Sequence, residues 1–71
     1  MLGEEIRRAR RRSGFTQEEL GFKAGISRNY VSLLELNQKS PTIDVLLRLC
    51  EAMDVSAARL IGRVEKARRG A

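Results

Sequence analysis

Apolar residues in this chain return at three- and four-residue intervals, and each run is bounded by residues that start or stop a helix. Leu2, Ile6 and Ala9 mark one face of a first helix over about Leu2 to Ser13, with Gly14 as its stop. Thr16 opens a second helix: Thr16 and Glu19 form a T-x-x-E capping box, and Phe15 and Leu20 are placed to staple it. Ser27 opens a third, with Ile26 and Val31 as its staple. It ends near Leu36, with Asn37 placed to take the left-handed conformation. Ser40-Pro41-Thr42 introduces a fourth helix, with Asp44 in its first turn and an apolar stripe expected at Ile43, Leu46, Leu47, Cys50 and Met53. Ser56 introduces a fifth, with Val55 and Leu60 as staple and Leu60, Ile61 and Val64 as its apolar positions. No strand pattern or internal repeat interrupts these runs. The pattern predicts an all-α domain over residues 1–64 and a basic, frayed tail over 65–71.

Residues 16–35, TQEELGFKAGISRNYVSLLE, carry the most specific information. Leu20, Ile26, Val31 and Leu34 are apolar where two short helices must pack. Gly21 is small where they must cross closely, and Gly25 is free to take positive φ where the chain reverses. The second helix of the pair keeps polar side chains on its outer face. A structural helical hairpin shares part of this pattern, but all the constraints together describe a helix-turn-helix that lays a helix in the DNA major groove.

Composition narrows the function classes. Fourteen Lys and Arg against nine acids give a net charge of +5, which suits a polyanionic partner and is equally a solvated surface. The basic excess lies at both ends: residues 1–14 hold five arginines and two glutamates, and residues 56–71 hold five bases and one acid. With no histidine and one cysteine, a His/Cys metal cluster and His-based catalysis are ruled out, and no cofactor is expected. Cys50 lies in an apolar helical run and reads as a small core residue. No apolar run reaches the ~20 residues of a membrane span, and the charged start lacks a signal-peptide pattern. The expected location is the cytoplasm, with no membrane partner. A 71-residue domain buries only about 60% of its unfolded surface, so dimerisation would stabilise it.

From Leu2 to Ile61 the chain resembles the Cro/cI-type, or xenobiotic-response-element, helix-turn-helix family. The resemblance is carried by LGEEIRRARRRSGFTQEEL, GISRNYVSLLE and SPTIDVLLRLCEAMDVSAARL. It implies a compact five-helix, lambda-repressor-like DNA-binding domain, with the helix-turn-helix at helices 2 and 3. It also implies a homodimer on an inverted-repeat operator in double-stranded DNA, with no enzymatic step.

The resemblance implies roles position by position. Arg28 and Asn29 stand where base edges are reached; Arg matches guanine O6/N7 and Asn matches adenine N6/N7. Ser32 reaches a base or a phosphate. Leu33 either meets a thymine methyl or packs on a neighbouring helix. Gln17 fixes a phosphate and braces the reading helix. Ser27, Asn37, Gln38, Lys39 and Thr42 contact the sugar-phosphate backbone, and Tyr30 either does so or packs its ring. Arg10 and Glu35 match an ion pair bridging the first and third helices. Leu60, Ile61 and Val64 are the dimer candidates, at least one of which serves the protomer's own core. Repression by occlusion is the expected outcome. Activation through an RNA polymerase contact at Glu18, an antitoxin with a toxin partner, a restriction–modification controller and a non-specific DNA binder remain as alternatives.

Overall fold

A computed structural model describes residues 1–70. Its elements are α1 (Leu2–Ser13), α2 (Gln17–Ala24), α3 (Arg28–Glu35), α4 (Ile43–Met53) and α5 (Ala57–Arg69). No strand occurs among the described residues. Ala71, the last residue of the expected tail, lies outside the described residues; α5 itself crosses position 64 and continues to Arg69.

Capping residues set the helix starts. Thr16, Ser27, Thr42 and Ser56 each accept a hydrogen bond from the backbone N–H three residues on, at 3.0–3.2 Å. At Thr16 the box is reciprocal, because the Glu19 carboxylate accepts from the Thr16 N–H at 2.8 Å. Four helices stop in the same way, with a left-handed residue and paired N–H bonds back to the last turn. Those residues are Gly14, Gly25, Asn37 and Asp54. Asp54, at φ 56°, is the stop that the sequence reading did not assign.

The core is aliphatic. Ile6, Leu20, Val31, Leu34, Leu49 and Leu60 are its largest fully buried side chains, and Phe15, Ile26 and Tyr30 pack against its edge. Helix α2 lies between α3 and α4, while α1 crosses α3 on one side and α5 on the other. The expected stripe on α4 needs correction. Ile43 is 70% exposed and Leu47 48% exposed, whereas Val45 and Leu49 join Leu46, Cys50 and Met53 inside. The run IDVLLRLC is apolar on two flanks of a 3.6-residue helix. Packing against α2 selected the flank with Val45 and Leu49.

Two glycines permit close approach. A Cβ on Gly21 would lie 2.8 Å from the Ile26 carbonyl oxygen, so the α2–α3 crossing admits no side chain there. A Cβ on Gly3 would meet the Leu34 carbonyl at 2.7 Å and also the Glu35 carbonyl, which brings the start of α1 directly onto the end of α3. Gly3 was not singled out by the sequence pattern, because the approach it permits is made by residues more than thirty positions away.

Candidate nucleic-acid interface

The outer face of α3 is fixed before any partner arrives. Gly25, at φ 76°, turns the chain, and the Ile26 N–H returns to the Gly21 carbonyl at 2.9 Å. Ser27 then holds the first turn of α3 through the Tyr30 N–H. Val31, Leu34 and Glu35 face inward, which leaves Arg28, Asn29, Ser32, Leu33 and Leu36 around the outward side.

Gln17, Arg28, Asn29 and Ser32 line one shallow concavity between the start of α2 and α3. Gln17 and Arg28 also line the adjoining depression with Arg10, Thr16 and Glu18. These residues supply amide, guanidinium and hydroxyl donors on one face, the set that reads base edges and grips phosphates. Leu33 stands one turn beyond Asn29 on the outward side, half-buried, and Leu36 is exposed beyond Ser32. Leu36 had no assigned role at the sequence level. Tyr30 is half-buried and its ring packs on the core edge.

Beneath this face lies a network centred on Glu35, whose side chain is fully buried. Its carboxylate accepts from Arg10 Nε at 2.6 Å, Arg10 Nη2 at 3.0 Å, Gln17 Nε2 at 3.1 Å and Arg7 Nε at 3.4 Å. Arg10 also donates to the Phe15 carbonyl at 3.0 Å, so one guanidinium ties α1, the α1–α2 corner and α3 together. Burial alone would push the Glu35 carboxyl up. Hydrogen bonds from Arg10, Gln17 and Arg7, with the Coulomb attraction of Arg10, outweigh it and hold its pKa below the ordinary value. The Arg10 guanidinium is raised in turn, chiefly by its hydrogen bonds to Glu35. Arg7 joins this network as well, although the resemblance pairs only Arg10 with Glu35.

Several expected contacts are partly engaged inside the protein. The Gln17 amide spends one N–H on Glu35 and keeps a second hydrogen and its carbonyl. Ser27 and Thr42 accept capping bonds, which leaves each hydroxyl hydrogen to donate. Asn37 is engaged at both ends of its amide and keeps one Nδ2 hydrogen to donate. Its Oδ1 accepts from the Gly3 N–H at 2.9 Å and its Nδ2 donates to Glu4 at 3.2 Å, so its side chain secures the α1–α3 junction. Gln38 and Lys39 stay exposed in the loop after α3.

The three α5 positions separate. Leu60 is fully buried in the protomer's own core and has no area to offer a partner, a correction to its placement at a dimer surface. Ile61 is 43% exposed, and with Val64, Glu65, Arg68 and Arg69 it lines a depression on the outer side of α5. Cys50 is buried, and burial pushes its thiol pKa up. Among the described residues, no group of three or more His, Cys, Asp or Glu is arranged to hold a metal, and no helix is long and apolar enough to cross a membrane.

A family model described as helix-turn-helix matches residues 6–60. An uncharacterised HTH-type transcriptional regulator, y4dJ of Sinorhizobium fredii, is 38% identical over 61 residues, covering 86% of this chain and 79% of that protein. A crystal structure of SinR, described as the master regulator for biofilm formation and solved in complex with DNA, superposes with a TM-score of 0.81. The two are 34% identical, over 86% of this chain and 98% of that one. The P22 c2 repressor protein in complex with a synthetic operator gives a TM-score of 0.78 at 32% identity, over 84% of this chain and 91% of that one. The chain spans 79% of y4dJ, 50–60% of the SinR and ImmR regulators of Bacillus and 11% of PrpR of Mycobacterium tuberculosis.

Proposed function

The chain belongs to the helix-turn-helix family of DNA-binding transcriptional regulators, and we propose that it represses by occupying an inverted-repeat operator as a homodimer. The observation that carries this reading is the convergence of Gln17, Arg28, Asn29 and Ser32 on one concave face beside the start of α3. Arg28 has the bidentate fork that matches guanine O6/N7, and Asn29 has the donor–acceptor pair that matches adenine N6/N7. Ser32 adds a hydroxyl one turn on, and Leu33 offers an apolar contact to a thymine methyl. Gln17, through its remaining amide hydrogen, holds a phosphate next to Arg28. Ser27, Gln38, Lys39 and the start of α4 at Thr42 fix the backbone on either side.

Two such faces on one side of a duplex sit about 34–36 Å apart, one helical turn. Ile61 and Val64 are the apolar pair we assign to the dimer contact, with Glu65, Arg68 and Arg69 around them. A dimer bound across a promoter blocks transcription by occlusion, in the cytoplasm where the DNA lies. Glu18, exposed beside the same face, is the acidic group that would meet RNA polymerase in the alternative reading, activation.

Selection of binding sites from random duplex DNA with the purified protein tests this function. Enrichment of an inverted repeat with half-site centres one turn apart is the expected result. Arg28→Ala should then weaken binding by about 1–3 kcal/mol at one base-pair position of the half-site and leave the preference elsewhere unchanged. Binding with no enriched motif overturns the operator reading.

A further inference from the structure

The reading face does not account for the charge of this chain. Of its fourteen bases, Arg7 and Arg10 are bound to Glu35, and the concavities at the start of α3 hold only Arg28 as a further base, with Lys39 in the following loop. The excess sits on the other flank of α1. There Glu5, only 8% exposed, accepts from Arg8 Nη1 and from Arg63 Nε of α5, both at 2.9 Å. One carboxylate thus holds two guanidiniums, and the pair of helices closes into a groove.

Arg12, Arg59 and Arg63 line the same depression together with Asp54, Val55 and Ser56. Arg8 and Arg12 are one turn apart on α1. Arg59, Arg63 and Lys66 follow at helical spacing on one side of α5. Among the described residues no carboxylate lies within ion-pair distance of Arg12 or Arg59, and both are exposed. The depression therefore carries three arginines against Asp54, with Arg8 one turn from Arg12 on α1 and Lys66 one turn from Arg63 on α5.

We propose that this α1–α5 groove is a second phosphate-binding surface, which takes the backbone of another nucleic-acid segment while α3 faces the first. The composition of the groove selects that ligand. The three bases in its lining are all arginines, whose planar fork matches phosphate oxygens in a bidentate way. Val55 is the apolar residue in its lining and is half-buried against the core, so the depression offers no aromatic anchor of the kind on which protein partners are held. The contacts are to backbone alone and carry no sequence preference. The Ile61 side of α5 lies on the opposite flank of that helix, so a dimer contact there leaves the groove open. The inference is independent of which operator α3 reads.

The test uses the full chain and two mixed-sequence 20-base-pair duplexes, one immobilised and one fluorescent, at low salt. The wild-type protein held on the immobilised duplex is expected to retain the fluorescent one. The double variant Arg12→Gln/Arg59→Gln touches neither the core nor the Glu5 cluster, and circular dichroism should show it fully folded. It is expected to lower retention at least about fivefold, while the protein held on the immobilised duplex stays within about twofold of wild type. Retention equal to wild type overturns the proposal. Displacement of the fluorescent duplex by polyglutamate as efficiently, per charge, as by unlabelled duplex also overturns it, because the groove would then be a docking surface for acidic protein.

Discussion

Replacing Arg10 with methionine leaves the Glu35 carboxylate buried with only Gln17 and Arg7 as donors, the latter at 3.4 Å. The variant removes the 2.6 and 3.0 Å bonds from Arg10 and also frees the Phe15 carbonyl. Breaking one side of such a pair costs about 3–5 kcal/mol, because an under-compensated charge stays in the interior. A 71-residue domain has roughly 4–11 kcal/mol of total stability, so at least about a quarter of it, and all of it at the low end, is at stake. With a urea slope of about 1 kcal/mol per molar for a chain of this size, the midpoint should fall by about 3–5 M. The decisive comparison is the double variant Arg10→Met/Glu35→Leu. It removes both charges at similar volume, and Arg7, whose side chain is 39% exposed, can turn to water. Its stability should return to within about 2 kcal/mol of wild type. The assay is urea unfolding followed by far-ultraviolet circular dichroism on the wild type, both single variants and the double variant. The reasoning fails if Arg10→Met costs less than about 1 kcal/mol, or if the double variant is no more stable than Arg10→Met.

The same network sets an acid limit. The Glu35 pKa lies below its ordinary value of 4.5 in the folded protein, so the unfolded chain takes up that proton first as pH falls. Its contribution to stability is complete above pH 4.5 and is lost as pH drops through the folded pKa; unfolding midpoints measured from pH 7 to pH 3 should show this decline, and Arg10→Met/Glu35→Leu should flatten it. Gly21→Ala places a methyl against the Ile26 carbonyl at 2.8 Å, and thermal melting should register a loss of about 1–3 kcal/mol. Lys39→Gln should lower affinity evenly across DNA sequences and reduce the slope of log affinity against log salt by about 1, measured by fluorescence anisotropy; an unchanged slope would place Lys39 away from the phosphates. Cys50 should resist a thiol reagent in the native state and react at least about a hundredfold faster in urea, since burial holds it as the protonated thiol.

Local chemistry made much of this molecule readable from its sequence. Caps at Thr16, Ser27, Thr42 and Ser56, and stops at Gly14, Gly25 and Asn37, act within four or five residues. The helix boundaries and the tight α2–α3 turn therefore follow from short stretches of chain. The outward position of Arg28, Asn29 and Ser32 follows in the same way, from the period of a helix whose inward apolar residues are Val31 and Leu34. Tertiary structure decided what depends on groups far apart in sequence. Two flanks of α4 were equally apolar, and only packing exposed Ile43 and Leu47. The resemblance implied a backbone contact for Asn37, and only the tertiary structure showed that the Gly3 N–H and Glu4, more than thirty residues away, engage its amide. Leu60 had the same pattern as Ile61, one residue on, and only the meeting of α5 with the core buried one and exposed the other. The aims of Arg7 and Arg8 were likewise open until the helices took their places, because a long side chain pairs with whichever carboxylate the fold buries beside it: Glu35 on one flank, Glu5 on the other.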